Sequence, residues 1–113
     1  MTFEISPQQF ATAHAEGAYV VDVREPDEYR SGHVPGAALI PLSLVPLRID
    51  EIPKEETVYV ICHSGGRSAQ AVQYLRRFGV DAINVAGGTD GWIRTGQPVV
   101  TGDHPGEHVR EDG

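Results

Sequence analysis

Short apolar runs recur along the chain and alternate with glycine-containing or helical segments. Residues 18–23 read AYVVDV, residues 57–61 read TVYVI and residues 82–86 read AINVA. A shorter run at residues 38–40 is closed by Pro41. Mostly apolar runs of this length are typical of strands that are buried on both faces of a sheet. The pattern therefore predicts four strands.

Two longer helical patterns lie between these runs. Ser6 followed by Pro7 is typical of a helix start, and Gly17 is placed to end that helix. The strongest pattern covers residues 67–78, where apolar side chains recur at i, i+4 and i+7 and Gly79 follows as a cap. These two segments are predicted to be helices.

Three weaker patterns complete the alternation of strands and helices. A short helix is predicted at residues 25–31, a second around Trp92, and a weak one over residues 42–52, where Pro46 is tolerated only in the first turn. Strands that alternate with helices are typical of an α/β fold with a parallel sheet and helices on both faces. The 113 residues suit one such domain.

The net charge and the cysteine content exclude several classes of function. The net charge of −7 argues against nucleic acid as the main partner, because phosphate binding needs a basic face. No segment approaches the roughly 18 consecutive apolar residues of a membrane span, and the first ten residues do not resemble a signal peptide, so a cytoplasmic protein is expected. The single cysteine, Cys62, excludes an internal disulfide and a CxxC redox pair.

The composition changes towards the end of the chain. Residues 101–113 contain four acidic residues against Arg110, together with glycines and a proline, and show no apolar periodicity. Such segments bury too little apolar surface to offset their ordering entropy. We therefore predict a domain over residues 1–100 and a flexible acidic tail over residues 101–113. Deletion of residues 102–113 is expected to change the melting temperature and the activity little.

Cys62 has a distinctive context. It directly follows the strand TVYVI, and residues 63–66 separate it from Arg67 at the start of the strongest helix. Glycine-containing loops at the carboxyl end of a parallel strand can point backbone N–H groups inward and bind anions. Those N–H groups and Arg67 would stabilise a thiolate. The context favours a reactive cysteine over a buried inert cysteine beside an ordinary turn.

Three motifs resemble the rhodanese-like domain in its single-domain sulfurtransferase form, over about residues 3–98. CHSGGRS resembles the family's Cys-x-x-Gly-x-Arg-Ser loop. DVREPDEYRSGHVPGA, at residues 22–37, and NVAGGTDGW, at residues 84–92, resemble its two other signatures. Leu39 departs from the pattern, since family members often carry Asn there. The resemblance implies a five-stranded parallel sheet between helices.

The resemblance also implies roles for the loop residues. Cys62 is expected to accept sulfur as the nucleophile, and Arg67 to bind the anionic part of the sulfur donor. His63 and Ser64 are expected to shape the entrance. The cradle for the persulfide is expected to comprise the backbone of His63, Ser64, Gly65, Gly66, Arg67 and Ser68.

Charged residues outside the loop are expected to support it. Asp22 and Arg24 lie at the end of the neighbouring strand and are interpreted as part of a network that braces the loop, with Glu28 as a partner of Arg24. A loop-ordering role is favoured for His33 over that of a general base, because an ionised thiolate needs none. Trp92 is expected in the core.

The implied reaction is transfer of sulfane sulfur from thiosulfate or a thiol persulfide, through a Cys62 persulfide, to cyanide, a thiol or a protein acceptor. No metal and no organic cofactor are expected. Neither nucleic acid nor a membrane is expected as a partner, and the chain is expected to be a monomer or a weak dimer.

Two alternative functions remain open. Phosphatases and arsenate reductases also use a cysteine–arginine loop, but the phosphatase signature has five residues between Cys and Arg and this chain has four. The shorter ring favours one extra sulfur over a tetrahedral phosphate. A sulfur carrier or protein-binding module with little turnover is the second alternative, although the intact cysteine loop argues against a purely non-catalytic module.

Overall fold

The computed structural model describes residues 3–106 and contains a parallel sheet of five strands in the order β1-β5-β4-β2-β3. The four strands predicted from the apolar runs are present, and the fifth, β1, forms an edge that the pattern did not indicate. The strands are β1 (Glu4–Ile5), β2 (Tyr19–Asp22), β3 (Ala38–Leu39), β4 (Val58–Ile61) and β5 (Ala82–Val85).

The described residues also form four α-helices: α1 (Pro7–Ala15), α2 (Pro26–Ser31), α3 (Gly66–Arg77) and α4 (Gly88–Arg94). The first three lie between strands, and α4 follows β5. None of the helices within residues 3–106 is long and apolar enough to span a bilayer. The first helix begins as expected, because the Ser6 hydroxyl accepts from the Gln9 N–H and the Gln9 side chain accepts from the Ser6 N–H. This reciprocal cap satisfies two N–H groups at the helix start.

The weak helix predicted over residues 42–52 is wrong. This segment instead contains two short 3₁₀ turns, Leu42–Leu44 and Ile49–Glu51. Pro46 removes a backbone donor between them, and Leu47 is 82% exposed. The side chains of Leu42, Val45, Ile49 and Ile52 still pack on the core, but the backbone closes in separate short turns on either side of Pro46.

The helices cover both faces of the sheet, as predicted. On one face α3 packs Ala71, Val72 and Leu75 against β4 and its neighbours. On the other face Phe10 of α1 and Trp92 of α4 pack together, with their ring centroids 5.4 Å apart. Trp92 is 1% exposed, which confirms it as a core residue.

Residues 101–106 hydrogen-bond to the domain, which corrects the expectation of a detached tail for this stretch. The His33 ring lies between two carbonyl groups, with Nδ1 2.7 Å from the Tyr29 oxygen and Nε2 2.8 Å from the His104 oxygen. His33 therefore orders this region, as expected. Two backbone bonds add to the attachment, Gly36 N to Pro105 O and Gly102 N to Arg30 O. The expectation for the rest of the tail concerns residues 107–113, which lie outside the described residues.

Truncation after Thr101 should consequently destabilise the domain. It removes the carbonyl partners of His33 and Gly36, and each lost hydrogen bond costs about 1 kcal/mol, or more where a buried donor is left unpaired. We expect a total loss of about 2–4 kcal/mol in the free energy of unfolding, measured by urea denaturation.

Truncation after Gly106 is the matched control, because it leaves all of these hydrogen bonds in place. That variant should unfold at nearly the wild-type midpoint. Equal stability of the two truncated proteins would show that residues 102–106 contribute nothing to the fold.

Candidate active site

The candidate active site lies at the carboxyl edge of the sheet, where β4 meets α3. Cys62 directly follows β4, and Gly66 begins α3. Between them Gly65 has a φ of +116°, which side-chain-bearing residues rarely adopt. This turn wraps the backbone around the sulfur and places the start of α3 over it, as the loop sequence predicted.

The Cys62 sulfur lies inside this loop, and the residue is 1% exposed. Sγ accepts from the Gly65 N–H at 3.1 Å and lies 3.3 Å from the Ser68 hydroxyl. Burial alone raises the pKa of the Cys62 thiol, but the Ser68 hydroxyl and the N–H groups of Ser68, Gly65 and Ser64 outweigh it. The net effect lowers the pKa of Cys62 below its usual value, so the loop favours the thiolate.

Arg67 lies on the first turn of α3 and forms a bidentate ion pair with Glu28 of α2. Its two Nη atoms lie 2.7 and 2.8 Å from the Glu28 oxygens. Hydrogen bonds from Arg67 hold the pKa of the Glu28 carboxyl at about 2. The pair therefore stabilises the fold above about pH 4.5, and its contribution is lost as the pH falls towards about 2. Glu28 was expected to be a partner of Arg24, but its side-chain ion pair is with Arg67, and Arg24 adds only a smaller electrostatic lowering of the Glu28 pKa.

Arg24 instead pairs with Asp22 in the interior. The side chains are 5% and 0% exposed and approach to 2.8 Å, so they are not a surface ion pair. Arg24 also donates to the Gly32 carbonyl at the end of α2. The pair thus fixes α2, which carries Glu28, and Glu28 in turn holds Arg67. These contacts connect Asp22 and Arg24 to the loop through α2, and their role in supporting the loop stays a prediction.

His63 and Ser64 are exposed at the outer side of the loop, and Gly66 is exposed at the start of α3. His63 lines a groove together with Arg24, Glu28, Thr89, Asp90 and Ile93. The two polar side chains therefore stand at the rim of the loop, while Ser68 is fully buried beneath it. The structure brings together all seven loop residues that the sequence indicated.

The start of α4 packs directly against the active loop. The Thr89 and Asp90 N–H groups donate to the Cys62 and His63 carbonyls at 2.8 and 3.1 Å. A Cβ atom on Gly88 would lie 2.5 Å from both carbonyl oxygens, and Gly88 has a φ of +58°. The glycine pair at residues 87–88 thus permits the close approach that anchors the loop, a role that its sequence context did not specify.

Sequence reasoning also missed the buried polar residue Asn84 on β5. Its Oδ1 accepts from the Ser68 hydroxyl at 2.5 Å, and its Nδ2 donates to Glu4 Oε1 at 3.1 Å. Asn84 is 4% exposed, although it lies in the apolar run that predicted β5. A polar residue within such a run is the one signal that pointed to it. Among residues 3–106, no group of three His, Cys, Asp or Glu side chains is placed to hold a metal ion.

Comparisons with known proteins agree with this geometry. A protein named "Sulfurtransferase" from Allochromatium vinosum is 42% identical over 89 residues, which cover 78% of this chain and 83% of the relative. "Thiosulfate sulfurtransferase GlpE" from Actinobacillus pleuropneumoniae is 37% identical over 100 residues, which cover 87% of this chain and 93% of the relative.

Solved structures show the same fold. A rhodanese-related protein from Thermoplasma volcanium superposes with a TM-score of 0.83 and 32% identity, covering 88% of this chain and 98% of that protein. The sequence pattern of the family described as "Rhodanese-like domain" matches residues 6–95. With the cysteine loop at the carboxyl edge of a five-stranded parallel sheet, these matches show that the chain belongs to the rhodanese-like domain family.

Proposed function

We propose that the chain transfers sulfane sulfur through a persulfide on Cys62. The observation that carries this proposal is the buried Cys62 sulfur at the mouth of a ring of backbone N–H groups, with its pKa lowered. These donors can also face the terminal sulfur of a persulfide, which is anionic. Oriented N–H groups stabilise such developing charge without the need to reorganise.

The reaction has two balanced half-steps. The Cys62 thiolate attacks the outer sulfur of thiosulfate, a new S–S bond forms, and sulfite leaves with the electron pair of the broken S–S bond. A nucleophile such as cyanide then attacks the terminal sulfur, and thiocyanate leaves as the Cys62 thiolate is regenerated. A thiol persulfide can replace thiosulfate, in which case a thiolate leaves in the first half-step.

The spacing within the loop supports sulfur transfer over phosphate transfer. Four residues separate Cys62 from Arg67, one fewer than in the phosphatase signature. A tetrahedral phosphate would need a wider ring. The proposal therefore places one additional sulfur atom, and no phosphate, in the ring.

A comparison of the steady-state rate with the rate of a single sulfur-loading step tests whether the chain is an enzyme or a sulfur carrier. Thiosulfate and glutathione persulfide serve as donors, and cyanide serves as the acceptor. Sustained turnover that matches the rate of sulfur loading supports an enzyme. Rapid loading followed by negligible turnover would contradict that view and favour a sulfur carrier.

Arg67→Ala should reduce kcat/KM for thiosulfate more than for a thiol persulfide with a neutral head. Thiosulfate is a dianion, and losing one charge-assisted contact costs about 1.5–3 kcal/mol, a factor of about 10 to 150. The double variant Glu28→Gln/Arg67→Ala is the control, because Arg67→Ala alone also leaves the Glu28 carboxylate unpaired near the donor. Equal losses for both donors would mean that Arg67 supports the loop and does not select the substrate.

A further inference from the structure

Ser68 lies beneath the loop with one hydroxyl proton and three acceptors within reach. Its Oγ lies 2.5 Å from Asn84 Oδ1, 3.3 Å from Cys62 Sγ and 3.3 Å from the Gly65 carbonyl oxygen. Ser68 is 0% exposed, so water does not supply further donors. Because a hydroxyl carries a single proton, Asn84 and the Cys62 sulfur compete for it.

The surroundings of Asn84 fix the direction of its amide. Nδ2 donates to Glu4 Oε1 at 3.1 Å and lies 3.4 Å from the Gly65 carbonyl oxygen. Both neighbours are acceptors, so the reverse orientation would place the amide oxygen against two other oxygens. The amide oxygen must therefore face Ser68 and accept its proton.

We propose that Asn84, oriented by Glu4, is a positioning residue that draws the Ser68 hydroxyl proton away from the Cys62 sulfur in the resting site. This inference concerns Cys62, the nucleophile of the proposed function, and its meaning for catalysis rests on that function. With the proton on the Asn84 side, Ser68 presents lone pairs to the sulfur, which suits a thiol. The hydroxyl turns towards Cys62 when the sulfur becomes anionic, since a charged acceptor makes the stronger hydrogen bond.

Competition for the Ser68 proton predicts that losing Asn84 increases the thiolate fraction of Cys62. Ordinary destabilisation of the site predicts a decrease. Asn84→Leu removes the competing acceptor and frees the hydroxyl for the sulfur. The reactive thiolate should then become more abundant, even though a buried polar contact is lost. Simple loosening of the loop would reduce the N–H contacts to sulfur and make the thiolate less abundant.

The other charged groups around the loop stay constant in this comparison. They come from each neighbouring element: Arg67 on α3, Glu28 on α2, Asp22 at the end of β2 with Arg24 after it, Asp90 on α4, and His63 in the loop. Glu4 on β1 is exposed, so its long-range charge effect is screened at high ionic strength. Measurements at high salt therefore isolate the hydrogen-bond chain.

The experiment measures the rate of alkylation by iodoacetamide as a function of pH. Cys62 is the single cysteine of the chain, so the rate reports on this sulfur alone. At an acidic pH where the wild-type rate is still rising, Asn84→Leu should react about threefold to tenfold faster. An unchanged or slower rate in a folded Asn84→Leu protein would overturn the proposal.

Ser68→Ala provides the test of mechanism. In the wild-type background it should slow alkylation only in part, because Asn84 competes with the thiolate for the hydroxyl proton. In the Asn84→Leu background it should slow alkylation strongly and cancel the gain. The same effect of Ser68→Ala in both backgrounds would overturn the proposal.

If Asn84→Leu does not fold, Glu4→Ala provides a second test of the proposal. Without Glu4 the amide can reverse, donate to the Ser68 oxygen and free the hydroxyl proton, so alkylation should again be faster at high salt. No acceleration would contradict the role assigned to Glu4. Alkylation needs no sulfur transfer, so a wild-type protein that never takes up sulfur refutes the proposed function and leaves this readout intact.

Discussion

Cys62→Ser should abolish both sulfur uptake from thiosulfate and sulfur release to cyanide. A serine hydroxyl stays protonated at neutral pH, and it cannot form the S–S bond on which both half-steps depend. The loop itself should persist, because Ser is close in size to Cys and the Gly65 N–H can bond to its oxygen. The measurement is the rate of thiocyanate formation.

The stability of the Cys62→Ser variant provides the control for this loss of activity. Cys62 is buried in the core cluster beside β4, and the substitution places a hydroxyl there, so a modest fall in the melting temperature is expected. Activity should vanish at temperatures where the variant remains folded. Substantial sulfur transfer by folded Cys62→Ser protein would remove Cys62 from the mechanism.

Gly88→Ala should lower the free energy of unfolding much more than the matched methyl addition Gly66→Ala. The added Cβ would lie 2.5 Å from the Cys62 and His63 carbonyl oxygens, and the backbone at Gly88 adopts a positive φ. The left-handed conformation alone costs about 1–2 kcal/mol for a residue with a side chain. The clash is with backbone, which cannot move without displacing the active loop, so a total loss of about 3 kcal/mol or more is expected.

Gly66→Ala is the matched control for that variant. It adds the same methyl group to a glycine next to the same loop, but no atom beyond its chain neighbours and its own helix backbone lies within 4 Å of the new Cβ, and φ is not positive. Its stability should stay within about 1 kcal/mol of wild type, since alanine is the better helix former. Urea denaturation of both variants tests the contrast, and similar midpoints would contradict the assigned role of Gly88.

The elements that the sequence predicted well are those whose signal is local. The run TVYVI and the periodic residues of α3 are long enough to specify a strand and a helix, and the loop between them follows from their adjacency. Strand β1 was missed because its two residues, Glu4 and Ile5, are too few to show a pattern. It is recognisable as a strand through its pairing with β5.

The contacts that the sequence did not predict join distant residues. Glu28 and Arg67 are 39 positions apart, and Glu4 and Asn84 are 80 positions apart. Nothing in the local pattern distinguishes Arg24 from Arg67 as the partner of Glu28. The choice depends on how α2 lies across the start of α3, which is set by the packing of the whole domain.

The tail shows the same limit of prediction from the sequence. Residues 101–106 have the composition of a solvated segment, and their side chains are indeed partly or fully exposed. Their attachment uses the backbone carbonyls of His104 and Pro105 and the N–H of Gly102. Composition describes side chains, so it carried no signal for bonds made by the main chain.

The intact mass of the wild-type protein after treatment with thiosulfate tests the central claim most directly. We predict a gain of one sulfur atom per chain, complete reversal on addition of cyanide, and no gain in Cys62→Ser. An aryl phosphate assayed in parallel should not be hydrolysed. A protein that never takes up sulfur and readily hydrolyses the aryl phosphate would contradict the account and favour the phosphatase function.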